Sequence, residues 1–212
     1  MNADTFADEL QKSLSGTQPE MDTFERIKAA REVLLQGLEL LFELADGVYS
    51  KAASESGVSI GEHYGEAIQH FRSLIQGYRT GEIRYSAAEP NGRLQSDVVY
   101  ASIATCDVLR ALKAYTPENL ARECRVVRDQ RENHDELPEF ASTFSNELAY
   151  CTATAMQQYA AIRDICAQLG IDLRSRVVLR SPRGFPDGTE LSQELLDYVP
   201  GGQSSTLPPR KR

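Results

Sequence analysis

The chain has no run of apolar residues near the ~20 needed to cross a bilayer, and no charged-then-apolar leader at its start. It has no CxxC pair: its four cysteines, Cys106, Cys124, Cys151 and Cys166, stand apart. It has little basic excess, with 23 Lys and Arg against 31 Asp and Glu and a net charge of -8. It contains only 3 histidines and no internal repeat. Each shortage excludes something. No membrane span is expected. Free thiols are expected rather than a disulfide framework, which fits a cytoplasmic protein. A large nucleic-acid footprint needs a basic face, so nucleic acid is not an expected partner. The length of 212 residues suits one domain with tails and is enough to bury a core.

What is present reads as helix. Residues 1–20 are polar, with Gly16 and Pro19 as breakers, and are expected to form a loosely held segment. From Met21 to Leu44 the apolar residues fall at helical spacing: Phe24, Ile27, Val33, Leu34, Leu38, Leu41 and Leu44. The stretch Leu34 to Phe42 is apolar over more than one face, which implies burial in a bundle or against a partner. Ser59 and Glu62 have capping-box spacing and open a second helix that runs to Thr80 and stops at Gly81. His63, Ala67, His70 and Leu74 share one stripe of it. Residues 81–93 are expected to be a loop, and a third helix spans about Leu94 to Ala114. Cys124 to Arg128 is β-branched and short and reads as a strand or an extended crossover; Asn133 to Glu139 reads as an exposed turn.

The longest uninterrupted helix is the fourth. Ser142 caps it, and no Gly or Pro breaks it before Gly170. Phe144, Leu148, Cys151, Ala155, Tyr159, Ile162, Cys166 and Leu169 step along it by threes and fours. Beyond residue 180 the chain is irregular. A short helix is expected near Thr189 to Tyr198, and a disordered basic tail at Arg210-Lys211-Arg212. The expected architecture is an all-α four-helix bundle over 21–180, with a long, partly extended connection between helices three and four.

Three short motifs, in this order and spacing, carry a resemblance. They are Ser59-Ile60-Gly61-Glu62-His63 with Gln69-His70-Phe71, then Ser142-Thr143-Phe144 with Asn146-Glu147-Leu148, then Gln158-Tyr159-Ala160-Ala161-Ile162. Together they resemble the DinB-like (DinB/YfiT) superfamily over about residues 22–180. The resemblance implies a four-helix bundle, often a homodimer. It implies an activity among metal-dependent thiol S-transferases and hydrolases. In that family one histidine of helix two and two of helix four, spaced HxxxH, hold a divalent metal. Residue by residue, His63 matches the first ligand, whereas the helix-four positions fall on Thr154 and Gln158. A hydroxyl and a neutral amide do not replace two imidazoles at zinc or nickel. Other polar positions of the family are also neutralised: an arginine-histidine pair appears as Gly65-Glu66, charged residues after Tyr85 as Ser86 and Ala88, and a glutamate as Gln95.

The candidate pocket residues are His63, His70, Glu147, Cys151, Thr154, Gln158 and Tyr159. Four readings compete for them. His63 and His70 would bind metal with a third ligand from Glu66, Glu147 or Cys151, but two helical turns separate them by ~10 Å. Cys151 would be a nucleophile activated by His63. His63, Thr154, Gln158 and Tyr159 would surround a small ligand without metal. Against all three, the residues would be ordinary core, with hydrogen-bonded histidines and a thiol acting as a small apolar group. The expectation is a metal-independent small-molecule-binding or protein-interaction homologue, without cofactor. The alternative is a thiol-transferase-like or hydrolase-like enzyme using His63 with other ligands.

Overall fold

Ser59 fixes where the second helix begins. Its hydroxyl accepts from Glu62 N at 3.1 Å, and the Glu62 carboxylate accepts from Ser59 N at 2.7 Å, a complete capping box. The helix ends at Gly81 in the left-handed conformation, φ 79°, where glycine carries no Cβ penalty. This computed structural model describes residues 23–44, 47–53, 57–85, 92–128 and 139–173. The N-terminal 20 residues, the Asn133–Glu139 turn but for Glu139, the Thr189–Tyr198 segment and the basic tail lie outside the described residues.

The elements in order are α1 (Thr23–Glu43), α2 (Ile60–Thr80), β1 (Glu82–Tyr85), α3 (Gly92–Ser96), α4 (Val98–Leu112), α5 (Pro117–Leu120), β2 (Glu123–Arg128), β3 (Glu139–Thr143) and α6 (Phe144–Gln168). The structure is mostly helical with a small sheet. The single helix expected over Leu94 to Ala114 is instead broken at Asp97, whose extended backbone and carboxylate, accepting from Tyr100 N at 2.9 Å, start a new helix. The loop expected over 81–93 contains β1. It pairs parallel with β2, Ile83 opposite Val126, and β3 pairs antiparallel with β2, Cys124 opposite Ser142.

Four helices of fifteen residues or more pack around one core. Phe144, Leu148, Cys151, Ala155, Ile162 and Cys166 of α6 are fully buried, as its spacing requires. The most extensive helix contact is between α2 and α6; α1 packs on α6 and α4, and α4 on α2. Arg26 of α1 donates to Asn146 Oδ1 at 2.7 Å near the start of α6, so the two helices enter the core side by side. Gly61 is the point where the α3 segment crosses α2. A Cβ there would strike the Gln95 carbonyl, and its carbonyl carbon at 2.8 Å, so only glycine fits. Among the described residues no helix is long and apolar enough to cross a membrane.

Candidate functional site

The α6 stripe Glu147, Cys151, Thr154, Gln158 faces the α2 stripe His63, Ala67, His70. His63 meets Gln158, and His70 meets Tyr150, so the two helices run in opposite directions. The facing stripes form two separate clusters.

At the first, His63 Nδ1 lies 2.5 Å from Gln158 Oε1. An amide oxygen only accepts, so Nδ1 carries the proton and donates. Thr154, one turn earlier on α6, is buried at 6% exposure. An imidazole–amide hydrogen bond thus joins α2 directly to α6 at this level.

At the second, Glu147 is fully buried near the start of α6. Ser142 Oγ donates to its Oε1 at 2.6 Å. The expected helix cap at Ser142 is corrected here: Thr143 is the cap, accepting from Asn146 N at 3.2 Å, which leaves the Ser142 hydroxyl for Glu147. Around the carboxylate stand Tyr85 from β1, Cys151 from α6 and Cys124 from β2. Tyr85 Oη and Cys151 Sγ are 3.5 Å apart. Burial, reinforced by the Cys151 and Glu147 groups, pushes the Tyr85 phenol well above its usual range. Burial and then the Glu147 charge push the Cys124 thiol up to about 12. Burial is also the leading cause that raises Cys151, with Glu147 adding to it.

This argues against Cys151 as a nucleophile: its sulfur meets the Tyr85 hydroxyl rather than His63, and burial, with Glu147 beside it, pushes the thiol up. His70 is also not a partner of His63. Its Nδ1 donates to the Glu66 carbonyl at 2.9 Å, and its ring stacks on Tyr85 at 5.2 Å with Tyr150 tilted beside both. Among the described residues no group of three or more His, Cys, Asp or Glu side chains is placed to hold a metal ion.

Tyr159 does not join the pocket. It is 1% exposed, stacks on Tyr64 at 5.6 Å and presses into α1 at Gly37. A Cβ at position 37 would collide with its hydroxyl and lie 2.6 Å from Cζ. Tyr64 Oη is 2.9 Å from Thr105 Oγ1, and Thr105 donates to the Ala101 carbonyl at 2.8 Å, so Tyr64 donates to Thr105. The Tyr159 hydroxyl lies beside Tyr64 but outside hydrogen-bond geometry, and burial followed by Tyr64 holds its pKa far above normal.

Sequence reasoning named Glu147 and Cys151 but missed Tyr85, Cys124 and the role of Ser142, which the sheet delivers. It also missed a groove of about 450 Å³ between α2 and α4, lined in part by Arg72, Arg79, Tyr100 and Ile103. The only signal for that groove was the polar stripe Gln69, Arg72, Gln76, Arg79 on α2. Searches with family models, against curated proteins and against solved structures find no match to this chain.

Proposed function

We propose that this chain is a DinB-like four-helix bundle protein that works without metal, as an interaction module rather than an enzyme. The observation that carries the reading is the hydrogen bond between His63 and Gln158. The one family ligand kept in this sequence is bonded to one of the two positions where a ligand is missing. The other, Thr154, offers a hydroxyl, and a lone imidazole is a poor site for zinc or nickel. Cys151 lies against Tyr85 rather than His63, and burial raises its thiol, which leaves it poorly placed to substitute. The interaction half of the reading is supported by large apolar side chains left exposed on α1 and α4, Leu35, Phe42, Val99 and Ile103 among them.

The test is restoration. Thr154→His with Gln158→His puts imidazoles one turn apart on α6, opposite His63. On this reading the double variant binds one Zn²⁺ per chain with at least ~100-fold higher affinity than the natural chain. Equal, tight binding by the natural chain would refute it.

A further inference from the structure

The groove between α2 and α4 has two unlike walls. Arg72 and Arg79 stand on the α2 wall, two helical turns or ~10 Å apart. Tyr100 and Ile103 stand on the α4 wall, and Ile75 and Val108 line the groove with them. Ile103 is 55% exposed, although large and apolar. Asp107 also lines the groove, but Arg110 holds its carboxylate at 2.6 Å, so the groove's positive character lies on the α2 wall. An occupant that fits has an apolar face and an acidic edge beside it.

That pattern occurs near the end of the same chain. Glu190, Glu194 and Asp197 step by four and three residues, and Leu191, Leu195 and Tyr198 step the same way one residue later. A helix over Thr189–Tyr198 therefore carries an acidic stripe beside an apolar one. Glu190 and Asp197 are seven residues apart, as are Arg72 and Arg79, so the two charged rows match in length at ~10 Å. Asp187 adds a further acid, and no Lys or Arg lies between Arg183 and Arg210. A helix this short is marginal in water and needs an apolar surface to form. The tether is long enough. Because α6 runs opposite to α2, Leu173 just beyond α6 lies toward the His63 end of α2, and the groove begins at Gln69. Residues 174–188 span up to ~50 Å when extended, whereas His63 and Gln69 are separated by only ~9 Å of helix. Residues 1–22 leave from the other end of the bundle, where Thr23 Oγ1 is 3.3 Å from Ser145 Oγ at the start of α6, and their stretch Thr5–Leu14 includes Lys12.

We propose that the α2–α4 groove is the seat of this chain's own C-terminal segment, Thr189–Tyr198. Leu191, Leu195 and Tyr198 cover Tyr100 and Ile103, and the acidic stripe lies along Arg72 and Arg79. Amphipathic helices dock in grooves by such periodic anchors, and charge pairs at the rim set the register. Attachment to the same chain gives the segment a high effective concentration at the groove, so modest contacts suffice. The groove is then closed by its own chain, and an outside acidic, amphipathic helix must displace the segment to enter. The proposal is independent of whether His63 binds metal.

Amide hydrogen exchange of the full-length chain, resolved over residues 189–198, tests this. In the natural chain these amides exchange at least ~10-fold more slowly than in a synthetic peptide of residues 184–200. Arg72→Glu with Arg79→Glu makes the groove wall acidic, and Glu190→Arg with Asp197→Arg makes the segment basic. Either double variant alone brings the segment to the exchange rate of the peptide, since like charges then face each other. The two combined in one chain restore the protection. Slow exchange in α6 establishes that each variant is folded, so a loss at residues 189–198 is local. Because the contact is within one chain, protection is the same at tens of micromolar and after tenfold dilution. A natural chain unprotected at 189–198, protection indifferent to the exchanges or lost on dilution, or a combined variant that stays unprotected would each overturn the proposal. So would protection found at residues 5–14 in its place and removed by the groove variant.

Discussion

His63 on α2 and Gln158 on α6, 95 residues apart in sequence, are joined by a 2.5 Å hydrogen bond between Nδ1 and Oε1. The bond fixes the imidazole tautomer and ties the two most extensively packed helices at one end of their contact. Both groups are only half-buried, so its net worth is that of an ordinary neutral hydrogen bond, about 0.5–1.5 kcal/mol. A double-mutant cycle with His63→Ala and Gln158→Ala, read by urea denaturation, is expected to give a coupling energy in that range. Additive single effects would show that the bond contributes nothing.

Gly37 and Tyr159 make a second dependent pair. Gly37→Ala drives a methyl into the Tyr159 ring and is expected to cost at least the usual ~1–3 kcal/mol of overpacking. Tyr159→Phe removes a buried hydroxyl that makes no hydrogen bond, so it should be close to neutral or slightly stabilising. Adding Tyr159→Phe to Gly37→Ala should then recover part of the loss, because the worst collision is with the hydroxyl. Urea midpoints of the three variants check this, and strict additivity would contradict it.

Alkaline pH should unfold this protein through its buried acids. Cys124, Cys151, Tyr85 and Tyr159 all have folded-state pKa values raised by burial. A raised pKa means that the folded state holds its proton more tightly than the unfolded state. The contribution to stability is complete below the unfolded value, about 9 for a thiol. It declines as pH rises from there toward the folded value, about 12 for Cys124. Denaturation midpoints should therefore fall steadily above pH 9; a flat profile to pH 11 would be inconsistent with protonated buried groups. At pH 8 a thiol reagent should modify exposed Cys106 quickly. Cys124, Cys151 and Cys166 should react only as fast as the protein opens.

Local signals were the legible part of the fold. The Ser59–Glu62 box, the stop at Gly81 and the buried stripe from Phe144 to Cys166 each depend on neighbours within a few residues. The misses are non-local or competitive. Glu82–Tyr85 is four residues long, and its partner strand lies about forty residues later, so nothing in its own sequence announces a strand. Asp97 sits in an apolar helical pattern, and only its capping bond to Tyr100 shows the break. Ser142 and Thr143 are both fair caps; the buried Glu147 claims the first and leaves the second to cap.

The candidate site divides the same way. The helical period places Glu147, Cys151, Thr154 and Gln158 on one side of α6, where Gln158 meets His63 on α2. Tyr159 is one residue from Gln158, a 100° turn that carries its ring toward Gly37 of α1. Tyr85 reaches Glu147 through the parallel pairing of β1 with β2, and Cys124 through the antiparallel pairing that sets it opposite Ser142, contacts that no local pattern encodes.

The central claim is that His63 is engaged by Gln158 in place of a metal. Elemental analysis of the full-length chain, produced with zinc and nickel supplied and set beside His63→Ala, tests it most directly. The account predicts well under one metal ion per chain in both proteins, and a His63→Ala variant that remains folded. One ion per chain in the natural protein, lost in His63→Ala, would contradict it.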